Sequence, residues 1–130
     1  MLEHSKAFSG IAVKDLDDAR RFYGEVLGVR VDESDMGMLV LRPGGDRRVL
    51  LYPKPDHEPA TYTVLNFPVD DVEGAVAALT ERGVVFEHYE GTPAETDAMG
   101  VFRGGGPLIA WFTDPSGNVL SLIEGPGLDG

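Results

Sequence analysis

Residues 109–124, IAWFTDPSGNVLSLIE, decide the fold. They read as two β-strands joined by a tight turn. Asp114 accepts from a nearby backbone N–H, Pro115 presets φ for the first corner, and Gly117 takes a positive φ at its end. The flanks are aromatic and β-branched, as strands favour. Strand alternation sends Leu120 and Leu122 to a core and leaves Val119, Ser121 and Ile123 on the opposite face.

Working outward, an earlier turn of the same kind stands at Pro43-Gly44-Gly45-Asp46, between the expected strands 37–42 and 48–52. Before it come a short strand at 7–13, a helix and a strand at 29–33. Asp15 is the expected N-cap of that helix, with Asp17 and Asp18 in its first turn, where the helix dipole favours acid. Leu16, Ala19, Phe22, Tyr23, Val26 and Leu27 recur at helical spacing, and Gly28 is the stop. A Pro-rich linker follows at 53–60, and then the pattern restarts. Residues 62–69 form a strand, Asp71 caps a helix carrying Val72, Ala75, Val76 and Leu79, Gly83 stops it, and 84–89 form another strand. At an offset of 56, Val13 meets Val69, Asp15 meets Asp71, Ala19 meets Ala75 and Glu25 meets Glu81; after a one-residue deletion Gly28 meets Gly83. A βαβββ unit is therefore duplicated, at about 7–52 and 61–125. The expected fold class is α+β: two βαβββ repeats forming a curved mixed sheet around a cleft, helices on the outer face.

Composition excludes several functions. A net charge of −11, from 22 acidic against 11 basic residues, opposes nucleic-acid binding and permits attraction of cationic ligands. No apolar run reaches the roughly 20 residues of a membrane span, and the first ten residues lack the pattern of a signal peptide. With Cys 0 there is no thiolate nucleophile or Cys-ligated metal, and the expected compartment is the cytoplasm.

The strings VKDLDDARRFYGEVLGV (13–29), VDDVEGAVAALTERGV (69–84) and FTDPSGNVLSLIE (112–124) together resemble the vicinal oxygen chelate superfamily, which includes glyoxalase I, bleomycin-resistance proteins and extradiol dioxygenases. The resemblance implies a single domain over 1–130 and a homodimer. It also implies one divalent metal held by His, Glu or Gln from four strands. Carried over residue by residue, those positions fall on Phe8, Leu50 (or Leu51 with a one-residue slip), Val64 and Ser121. None is a competent ligand, so neither metal nor other cofactor is expected. His4, His57 and His88 read as terminal, loop and edge residues, and no H-x-H or H-E-x-x-H pattern is present.

What remains is a cleft lined by Phe8, Met38, Tyr62, Val64 and Trp111, with Asn66 and Ser121 as sparse hydrogen-bonding groups, the usual makeup of a small-molecule site. The stretch 90–107 is long for a compact domain, and its run Arg103-Gly104-Gly105-Gly106 suits the hinge of a lid bringing Glu95, Asp97 and Arg103 over the cleft. The leading expectation is a protein that binds an apolar or aromatic, and on net charge cationic, molecule without metal. The alternatives are a metal-dependent lyase, isomerase or dioxygenase, and a metal-free catalyst using Tyr62, Glu95 or Asp97 as acid or base.

Overall fold

The computed structural model describes residues 1–128. The chain forms two compact units, dividing between Glu58 and Pro59. In the first, β1 (Ser9–Val13), helix α1 (Leu16–Arg20), a π-helical turn (Arg21–Val26), β2 (Arg30–Glu33), β3 (Leu39–Arg42) and β4 (Val49–Pro53) follow in order. In the second, β5 (Thr63–Val69), α2 (Val72–Glu81), β6 (Val101–Phe102), β7 (Ile109–Thr113) and β8 (Val119–Glu124) repeat the plan. The sheets have the same order, β1-β4-β3-β2 and β5-β8-β7-β6, with one parallel pair each, β1 on β4 and β5 on β8. The duplicated α+β unit expected from the sequence is thus present twice.

Local chemistry places the helices. Asp15 accepts from the Asp18 amide at 2.9 Å and Asp71 from the Gly74 amide at 3.2 Å, so both expected caps form. Glu124, at the end of β8, adds a second acceptor for α2 by taking the Val72 amide at 3.1 Å. Gly83, at φ 93°, closes α2: its own amide reaches Thr80 C=O at 3.0 Å, and that of Val84 reaches Leu79 C=O at 3.0 Å. This is the paired-bond ending that needs a left-handed residue. Replacing Asp71 by Ala is expected to destabilise by about 1 kcal/mol, read as a lower urea midpoint with unchanged slope.

The first helix departs from the expected uniform α-helix over 16–27. After Arg20 it widens, and Leu27 N–H donates to Phe22 C=O five residues back at 2.9 Å. The wide turn holds one residue more than the matching part of α2. This is where the offset between the repeats falls from 56 at Glu25 and Glu81 to 55 at Gly28 and Gly83. Extra residues in helices are commonly absorbed in such turns.

Each sheet buries one face. In the first unit Ile11, Val13, Leu39, Leu41, Val49 and Leu51 are buried, with Ala19 and Tyr23 from the helical segment. In the second unit Ala110, Phe112, Leu120 and Leu122 are buried with Val72 and Val76 of α2. The alternate residues of each strand form the other, more open face, half-buried to exposed apart from Ser121, which is fully buried.

Two features of the second unit differ from expectation. The strand expected at 84–89 is reduced to a single bridge, Phe86 opposite Phe112, together with Glu87 N–H donating to Trp111 C=O at 2.8 Å. The second strand of this unit is β6, within the stretch read as irregular, where Val101 pairs with Ala110 and Phe102 with Ile109. The outer edge of β7 is therefore shared by two short segments. Extension stops at Tyr89, whose φ of 47° is left-handed, and resumes after Gly100, at φ 94°. The second difference is a bulge in β5. Thr63 pairs with Val119 and Leu65 with Leu120, leaving Val64 as the extra residue.

Candidate functional site

The bulge and the broken edge strand determine what the open face of the second sheet carries. Trp111, Ser121 and Asn66 lie directly opposite one another on β7, β8 and β5, so they share a face. The Ser121 hydroxyl donates to Asn66 Oδ1 at 2.6 Å. The Trp111 indole N–H donates to Thr63 Oγ1 at 3.1 Å, which is possible because the bulge brings Thr63 to this face. Each segment of the broken edge contributes a ring to Trp111. Tyr89 packs at 5.5 Å between centroids and Phe102 at 5.7 Å, tilted by 64° and 55°. All three rings are half-buried. Burial, and secondarily the Glu87 carboxylate, push the Tyr89 phenol above its ordinary pKa, so it stays a neutral donor at physiological pH.

Of the side chains expected to line a cleft, the second unit brings together Asn66, Trp111 and Ser121. Val64 has no cross-strand partner, and Tyr62 is 70% exposed just before β5. Phe8 and Met38 belong to the first unit: Phe8 precedes β1 and is 66% exposed, and Met38, half-buried, leads into β3. Thr63, Tyr89 and Phe102 escaped the sequence reading. Tyr89 immediately precedes the long stretch and Phe102 lies within it, and their aromatic character was the available signal.

Glu95, Asp97 and Arg103 are engaged within that stretch or with α2. Both Asp97 oxygens are used: Oδ1 accepts from the Met99 and Val101 amides at 2.9 Å each, and Oδ2 from Arg103 Nε at 2.8 Å. Arg103 first, then the Val101 amide, hold the Asp97 carboxyl below the usual carboxylate range. Arg103 also reaches Glu73 on α2 at 3.1 Å, and Glu95 accepts from the Gly91 amide at 2.7 Å. These bonds pin the stretch to its own unit.

The residues that the superfamily resemblance puts at the metal positions offer no donor set for a metal. Sheet register resolves the slip at Leu50: it stands opposite Gly10 as Ser121 stands opposite Asn66. Leu50 has no donor atom, and the Ser121 hydroxyl is committed to Asn66. Among the described residues there is no group of three or more His, Cys, Asp or Glu side chains able to hold an ion.

Comparison with known proteins agrees with this architecture. The profile of the Glyoxalase/Bleomycin resistance protein/Dioxygenase superfamily matches residues 4–122. Among solved structures, TnmS3, an antibiotic binding protein from Streptomyces sp. CB03234, is 27% identical with a TM-score of 0.64, over 93% of this chain and 97% of its own. A glyoxalase/bleomycin resistance protein from the same organism is 28% identical with a TM-score of 0.59, over 90% and 99%. A superfamily member from Sphaerobacter thermophilus DSM 20745 is 26% identical with a TM-score of 0.64, over 92% and 97%. No curated protein matches the chain. With its duplicated βαβββ units and a profile match over nearly its whole length, the chain belongs to the glyoxalase/bleomycin resistance protein/dioxygenase superfamily.

Proposed function

We propose that the protein binds a small apolar or aromatic molecule, without a metal, on the open face of its second sheet. The observation that carries this reading is Trp111: half-buried, flanked by Tyr89 and Phe102, its indole N–H fixed by Thr63, beside the Asn66–Ser121 pair. Aromatic faces with a few oriented polar groups suit a flat ligand. The similarity to an antibiotic binding protein supports binding over turnover. The donor set at the superfamily's metal positions supports independence from metal. The net charge of −11 draws cations at long range, yet this open face offers no carboxylate on its strands, so an uncharged aromatic body is the better match. We also take the active form to be a cytoplasmic homodimer, as the superfamily resemblance implies; light scattering at micromolar concentration tests the assembly.

The chain has one tryptophan, so its fluorescence reports this site alone. Titration with 2-naphthol is expected to quench Trp111 saturably and to leave the probe chemically unchanged. By calorimetry, Trp111→Ala is expected to lose at least tenfold in affinity, about 1.4 kcal/mol, while melting as a folded protein. Unaltered affinity would place the ligand elsewhere. Elemental analysis finding one metal ion per chain would sink the metal-free reading.

A further inference from the structure

The first unit carries a different chemistry on its open face. Register puts Arg30 of β2 directly opposite Arg42 of β3, an arrangement that is unfavourable for like charges unless something lies between them. Asp32 does so: its Oδ1 accepts from Arg30 Nε at 3.3 Å and its Oδ2 from Arg42 Nε. Both of its oxygens are thereby used, by the Nε edge of each guanidinium. Among the described residues neither arginine side chain makes a further hydrogen bond, so both terminal –NH2 groups of each remain available. One carboxylate between two guanidiniums leaves a net positive charge. The Arg42 side chain is 33% exposed and that of Asp32 31%, whereas that of Arg30 is 73% exposed, so Arg42 is the better-held arm of the fork.

Beside this cationic pair runs an apolar strip on the same face. Val40 is opposite Asp32 and Leu50, Leu50 is opposite Gly10, and Tyr52 is opposite Ala12. Val40, Leu50, Tyr52 and Ala12 are half-buried. Gly10 leaves its place on the strip empty, with the Tyr52 ring at its margin: a Cβ built there would lie 3.5 Å from that ring.

We infer that this face is a binding site for a small organic monocarboxylate, its carboxylate on the outer edges of Arg42 and Arg30 and its apolar body along Val40, Leu50 and Tyr52. Arginine forks match carboxylates in a two-bonded geometry. A polyanion is a poor alternative, because the acidic chain repels extended negative charge while a local arginine pair still serves a single one. The inference concerns the first unit and rests on observations separate from those that carry the Trp111 reading.

Benzoate is the probe, with benzamide as its uncharged analogue. In 15N-resolved spectra of the full chain, benzoate is expected to shift the Nε–H signals of Arg30 and Arg42 and the amides of Val40 and Leu50 saturably. The effect is expected to weaken severalfold between 20 and 300 mM salt, roughly as screening requires. Benzamide is expected to leave the arginine signals in place. Arg42→Gln is expected to weaken benzoate at least tenfold, and Arg30→Gln, at the more exposed position, less. Because shift mapping uses the unaltered protein, the inference does not depend on either variant folding. Benzoate that leaves these signals unmoved, or benzamide that binds equally well, would overturn it. Quenching of Trp111 by 2-naphthol is unaffected by either result.

Discussion

Replacing Asp114 by Ala is expected to destabilise the protein by about 3 kcal/mol or more, the largest single loss from a polar side chain. Asp114 is 4% exposed and organises the closing turn. Its Oδ1 accepts from the Ser116 and Asn118 amides at 2.9 Å each, and its Oδ2 from Asn118 Nδ2 at 2.9 Å. Asn118 is itself 2% exposed, so truncation leaves buried donors unpaired as well as removing the acceptor. Asn at 114 would keep one acceptor but turn a second amide towards Asn118, giving an intermediate loss. Urea unfolding followed by Trp111 fluorescence measures both; an Ala variant within 1 kcal/mol of the parent, on the scale of an ordinary exposed hydrogen bond, would show that the turn does not depend on this carboxylate.

Phe112→Ala is expected to cost about 3–5 kcal/mol, a third or more of the stability of a typical domain. Phe112 is fully buried on the helix-facing side of β7, where Phe86 meets it at 5.5 Å and 62° and also makes the single backbone bridge with it. Truncation opens a cavity under the segment that begins the broken edge strand. The loss is therefore expected in amide exchange at Glu87, whose bond to Trp111 C=O depends on that segment, as well as in global unfolding. The adjacent Trp111→Ala removes a half-buried ring from the opposite face and is expected to cost less than Phe112→Ala. Equal losses at the two positions would contradict the assignment of faces.

The contrast shows what the sequence could express. Asp15, Asp71, Asp114, Gly28 and Gly83 act on backbone groups within five residues of themselves, so their roles are legible from spacing alone. The alternation of Leu120 and Leu122 against Ser121 was legible for the same reason. Thr63 was not. Counting back from Val69 in steps of two puts Thr63 on the helix-facing side and leaves Val64 on the open face, and no residue in TYTVLNF marks a bulge. A bulge is defined by its partner strand, and β8 lies more than fifty residues away. The break in the edge strand was hidden similarly. Val84, Phe86 and His88 alternate as a strand would, and the backbone is turned away by Tyr89, a residue type that rarely adopts positive φ. As a result the two rings that frame Trp111 come from places that local pattern could not join. Leu50 is the intermediate case: its position was legible to within one residue, and its pairing with Gly10 matches that of Ser121 with Asn66.

The wide turn at Arg21–Val26 bears on how the two halves of the chain have drifted apart. In a regular α-helix an added residue rotates everything after it by about 100°, which would present the wrong side of the helix and misplace the following strand. Here the surplus is taken up within one turn, and Gly28 still ends the helical segment with a left-handed φ of 75°. The strands downstream keep the same pairing order as their duplicates. The turn acts as an expansion joint: the first copy can gain or lose a residue there without the sheet, or the arginine pair at its edge, registering the change.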